Sequence, residues 1–173
     1  MSPWTESHSE LCQIFKIKDG SRLSFARVEF SPPSMDTAHL LDGYKLKLDE
    51  ERTPNWWTDE IKDSVIEKMR AYVKSIIVDG DVQLLIGGQF IIAPGAKVEC
   101  AKEMVINAIC GGTVSEIRGG TVSAIWGGTV SAIWGGTVSD IWGGTVSDIW
   151  KHFSGLIGPI HKDAKVTDNR EKK

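Results

Sequence analysis

Cysteine is scarce in this chain: Cys12, Cys100 and Cys110 are the only three, an odd number with no pair at metal-ligand spacing. That excludes a disulfide framework and suits a reducing compartment. No stretch approaches the ~18 consecutive apolar residues of a transmembrane helix, so no membrane partner is expected. Residues 1–6 (Met-Ser-Pro-Trp-Thr-Glu) lack the basic region and apolar run of a secretory signal. A cytoplasmic location is the expectation.

A dominant charge of one sign is missing too. The formal net charge is −3, with 11 basic and 13 acidic residues in 1–78, 3 and 7 in 79–150, and 6 and 3 in 151–173. A nucleic-acid binder carries a strong positive field, so nucleic acid is not an expected partner. The histidines, His8, His39, His152 and His161, stand at no metal spacing with each other or with cysteine. There is no phosphate loop, no Gly-x-Ser-x-Gly and no His-Glu-x-x-His. No catalytic residue, metal or cofactor is assigned, and the chain reads as a non-enzyme.

What is abundant is glycine, and it is periodic. Residues 111–150 are five consecutive octads, GGTVSEIR, GGTVSAIW twice and GGTVSDIW twice. Degenerate octads extend the register upstream to residue 79: DGDVQLLI, GGQFIIAP, GAKVECAK and EMVINAIC. The fourth position is apolar throughout: Val82, Phe90, Val98, Ile106, Val114, Val122, Val130, Val138 and Val146. So is the seventh: Leu85, Ala93, Ala101, Ile109, Ile117, Ile125, Ile133, Ile141 and Ile149.

An eight-residue period is too short for a helical repeat. Two glycines per octad would cost a helix roughly 2 kcal/mol. Thr, Val and Ile favour strands, and Gly-Gly turns corners because glycine accepts positive φ. In Thr-Val-Ser, alternation points Val inward and the hydroxyls outward. The expected fold is mainly β: a parallel β-solenoid, or β-helix, of octapeptide repeats with an N-terminal α/β cap. A coil of two octads is preferred over one of three.

Three regions follow from this. Residues 1–78 form the cap: a hairpin over 12–30 turning at Asp19-Gly20, a short strand near 44–48, and an amphipathic helix over 58–75 with Thr58 as N-cap. Trp56 and Trp57 are placed at the junction with the array. Residues 79–158 are the solenoid, closed by Phe153, Leu156 and Ile157, with Pro159 ending strand pairing. Residues 159–173 are polar and read as a disordered tail.

The candidate site is the eighth position, Arg118, Trp126, Trp134, Trp142 and Trp150, with the acidic sixth position, Glu116, Asp140 and Asp148. Two octads per coil stack Trp126 on Trp142 and Trp134 on Trp150. Such columns are either an aromatic binding strip or a ladder that covers the coil corner. Their apolar area makes self-association, and thus a homo-oligomer, an expectation. The Thr and Ser columns resemble ice-binding faces, but the Trp column interrupts a flat lattice. GGTVSDIW approaches a calcium nonapeptide, yet lacks its third Gly and most of its carboxylates.

Residues 111–150 resemble uncharacterised bacterial and phage octapeptide arrays of the form x-x-A/T-V-x-x-V/I-W/Y. The Pro54-Asn55-Trp56-Trp57 stretch, a helix and then the array are similar to such proteins. The chain is more loosely similar to pentapeptide-repeat proteins, some of which mimic DNA, although the five-residue pattern is absent. The resemblance implies a bacterial or phage interaction protein, an inhibitor or scaffold, with an unidentified protein partner. The alternative is a small-ligand or glycan-binding module using the Trp strip or a groove between cap and array.

Overall fold

The computed structural model describes residues 26–49 and 53–170. The chain is a parallel β-solenoid of about six turns with an α/β cap on its N-terminal side. The cap holds β1 (Val28–Ser31), two 3₁₀ turns, β2 (Lys45–Leu48) and α1 (Asp59–Ile76). The solenoid holds β3 (Ile77–Val78), β4 (Asp81–Ile86), β5 (Gln89–Ile92), β6 (Lys97–Lys102), β7 (Val105–Ile109), β8 (Thr113–Ile125), β9 (Thr129–Ile141), β10 (Thr145–Ile157) and β11 (Lys165–Asp168).

The register settles the coil. Thr113 pairs with Thr129, Val114 with Val130, Thr121 with Thr137 and Val122 with Val138. Each step is two octads, so alternate octads build two faces. One face stacks β4, β6, the first halves of β8, β9 and β10, and β11. The other stacks β3, β5, β7 and the second halves of β8, β9 and β10. At ~4.8 Å per coil the rod is roughly 30 Å long.

The core is the two apolar columns. Val114, Val122, Val130, Ile125, Ile133, Ile141, Val146 and Ile149 are all 0% exposed. In the five GGTVS octads the second glycine makes this spacing possible. Gly128 has φ +77°, and a Cβ there would sit 2.5 Å from the Gly112 carbonyl oxygen in the coil below. No L side chain fits that corner without displacing backbone.

Four expectations need correction. The seventh-position column passes through Ile92, not Ala93: the register shifts between Phe90 and Ile91, and Ile92 pairs with Ile109. Pro94 follows at the corner, so this octad reaches its inward position one residue early. Second, the polar tail is not disordered in its described part. Lys165–Asp168 pairs with β10 in parallel, Val166 beside Val146. Lys-Val-Thr-Asp is an octad centre, and burying Val166 against the core offsets its ordering cost.

Third, Pro159 interrupts pairing without ending it. Its carbonyl accepts the Ile141 N–H (3.0 Å), and Ile160 bridges to Ile141. Of the closing residues, Phe153 and Ile157 pack on the core, but Leu156 lies beside Thr137 at an outward position and is 70% exposed. Fourth, Trp56 and Trp57 meet edge-on (6.0 Å, 70°) and belong to neither buried cluster. The junction is made by Tyr44, Val73 and Ile76 against Ile91 and Ala108.

The cap therefore leans on the outside of one solenoid face. α1 begins as expected, with Thr58 Oγ1 accepting the Ile61 N–H at 3.4 Å. β1 pairs antiparallel with β2, Phe30 opposite Leu46. The first strand and turn of the expected hairpin lie outside the described residues.

Candidate functional site

The corners of the solenoid gather the eighth-position residues into two separate columns. On the capped face the order is Cys110, Trp126, Trp142 and then His161. Trp126 stacks on Trp142 with centroids 5.1 Å apart and planes 3° from parallel. His161 covers the other side of Trp142 at 3.6 Å and 11°. The column forms because Trp126, Trp142 and His161 each donate a backbone N–H to the seventh-position carbonyl one coil earlier, Ile109, Ile125 and Ile141, at 2.8–2.9 Å. Strand pairing fixes the Cα spacing, and the rings fill it.

His161 was not singled out by its position in the repeat. Three extra residues, Lys151, His152 and Phe153, precede Ser154, which pairs with Gly135. They break the period, and the Ile160-His161 pair then falls where Ile-Trp stands elsewhere. That substitution was the available signal.

The lower end of this column is structural. Cys110 and Trp126 pack against the cap cluster with Leu41 and Ile76. Cys110 Sγ lies 3.5 Å from the Met35 carbonyl as a weak donor. Burial pushes its thiol pKa up, only partly offset by hydrogen bonding to the His39 and Ala38 backbone. The upper end is open: Trp142 is 40% exposed. Asp140 places Oδ1 3.7 Å from His161 Nε2, beside the sandwiched ring.

On the other corner, Arg118, Trp134 and Trp150 follow one another. Trp134 and Trp150 approach to 4.7 Å but tilt by 45°. His152, one of the extra residues, meets Trp150 edge-on at 4.9 Å. Arg118 turns away to pair with Glu116 (2.6 Å). Asp148 accepts from Asn169 Nδ2 (2.7 Å). The structure thus unites Trp126, Trp142 and Asp140 with His161. It leaves Trp134 and Trp150, the Arg118–Glu116 pair and Asp148 as separate groups. The indole N–H groups of Trp126 and Trp134 are buried without a hydrogen-bond partner among the described residues.

The described residues also form concavities away from the corners. A groove of about 290 Å³ runs between cap and array, lined by Phe30, Met35, Tyr44, Met69, Tyr72 and Ile91 among others. A shallow depression of about 650 Å³ crosses the outer surface of β4, β6 and β8 near Asp81, Lys97, Glu99 and Ser115. Among the described residues, no group of three or more His, Cys, Asp or Glu is placed to hold a metal ion. No described helix is long and apolar enough to cross a membrane. Compared with known proteins, the chain matches no family model, no curated protein and no solved structure.

Proposed function

We propose that the protein is a cytoplasmic, non-enzymatic interaction module of bacterial or phage origin, an inhibitor or scaffold that presents the Trp142 corner to a protein partner. One observation carries this reading: an indole 40% exposed yet clamped between two parallel rings. A Trp held this way contributes contact area without losing rotamer freedom on binding, which is the economy of an interface hot spot. Asp140 beside it supplies an acceptor for a basic or amide group. The backbone-bonded coil below keeps both in place.

The test is capture of a partner by the tagged protein, with a photo-crosslinker at Ser139, compared with Trp142→Ser. The reading expects one stoichiometric crosslinked protein for the parent, lost in Trp142→Ser while far-UV circular dichroism is unchanged. A partner retained in full by Trp142→Ser removes the corner from the interface.

A second reading is favoured by the cap–array groove. Its aromatic and thioether lining suits a small apolar ligand, and about 290 Å³ lies just under the ~300 Å³ lower end of ligand pockets. Tyr72 Oη and Gln89 Oε1, 3.4 Å apart at its rim, would orient such a ligand.

A further inference from the structure

The two ends of the solenoid carry matching unfinished edges. Among the described residues, β4 has one strand neighbour, β6, and β11 has one, β10. The inward columns show the consequence. Val98, Val114, Val130 and Val146 are 0–1% exposed, but Val82 and Val166, at opposite ends of that column, are only partly buried. On the other face, Ile109, Ile125 and Ile141 are 0% exposed, while Ile160 at the top of the same column is 44% exposed.

The repeat register dictates what would complete these ends. Asp81 pairs with Lys97, Lys97 with Thr113, Thr113 with Thr129, Thr129 with Thr145 and Thr145 with Lys165. Asp81 and Lys165 are therefore the two termini of one third-position column, both exposed and of opposite charge. Continuing the ladder by one coil sets β4 of a second copy on β11 of the first. Lys165 then faces Asp81, Val166 faces Val82, and Thr167 faces Gln83. The hydrogen-bond rule extends likewise. Lys97, Thr113 and Lys165 each donate N–H to the second-position carbonyl one coil earlier, Gly80, Ala96 and Gly144, at 2.9 Å. One step further, the N–H of Asp81 finds the Ala164 carbonyl of the next copy. On the second face, Val78 of the incoming copy comes over Ile160.

We propose that this protein assembles head to tail with further copies of itself through parallel pairing of β4 on β11, with Lys165 opposite Asp81. The contact reaches Ile160, the neighbour of the His161 ring above Trp142, but the proposal does not rest on the Trp142 corner as a partner site. The contact is heterologous, because one end meets the other. It therefore yields open-ended chains rather than a closed dimer.

Charge exchange tests this on the full chain. Sedimentation velocity at low ionic strength, over a rising concentration series, is expected to show a ladder of species for the parent protein. Lys165→Asp and Asp81→Lys each place like charges across the contact and are expected to weaken association by roughly 10-fold or more. An equimolar mixture of the two variants has opposite charges at every alternating contact, so it is expected to recover the ladder. That recovery also shows that both variants are folded. A parent that stays monodisperse at every concentration, or a closed dimer alone, overturns the proposal. So does a mixture no more associated than its separate components.

Discussion

The imidazole of His161 lies flat on the indole of Trp142, centroids 3.6 Å apart, although the two are separated by an interruption of the repeat. The stack predicts that His161→Ala uncovers the upper face of Trp142 and loses roughly 1 kcal/mol of aromatic contact. Acrylamide quenching of tryptophan emission should rise, and His161→Phe should restore the parent value. Equal quenching in all three proteins would mean that the ring contact does not persist in solution.

Corner glycines should be the least replaceable residues of the array. Gly128→Ala meets both a φ of +77° and the Gly112 carbonyl at 2.5 Å. The expected loss in urea unfolding is about 2 kcal/mol or more, against under ~0.5 kcal/mol for Ser131→Ala on the exposed face. Comparable midpoints for the two variants would contradict the corner geometry.

Removing residues 127–142 deletes one coil and leaves every remaining column in register, since Thr113 would then pair with Thr145. Neighbour-only contacts in such arrays predict a folded, cooperatively unfolding protein of lower stability. Circular dichroism through a thermal ramp checks this; a broad, non-cooperative loss of signal would count against an additive stack.

The cap–array joint should weaken at alkaline pH. Tyr44 donates its hydroxyl to the Ala38 carbonyl at 2.7 Å. Burial, and secondarily the neighbouring Cys110, raises its pKa above the ordinary 10.0. Cys110 is itself raised above 9.0 by burial. Both groups favour folding in their neutral forms. Their contribution is full below the unfolded values and lost as pH rises through the folded ones. Thermal midpoints should therefore fall above about pH 9 in the parent, and fall less in Cys110→Ala and Tyr44→Phe. Parallel pH profiles for all three would separate these groups from the joint.

The solenoid was legible because near-identical octads leave one consistent assignment of inward and outward residues. Two octads per coil and the Trp126–Trp142 and Trp134–Trp150 pairs followed from the same register. Legibility failed where the period did. A residue dropped near Ile91 shifted Ala93 out of the column. The extra Lys151-His152-Phe153 hid two further octads, so composition alone made the tail look unstructured. The cap's seat on Ile91 and Ala108 was not readable either. Those are outward positions, where apolar residues have no periodic reason to be, and their departure from the polar pattern was the only clue.

A coil made of two octads also gives the array a parity. Gaining or losing an even number of octads changes the rod's length and nothing else about its faces. An odd number transposes everything downstream to the opposite face. Losing the octad 143–150, for example, would set His161 over Trp134 rather than Trp142, and Lys165 would leave the column that begins at Asp81. If copy number varies among related chains, only even steps conserve both the aromatic corner and the matching ends.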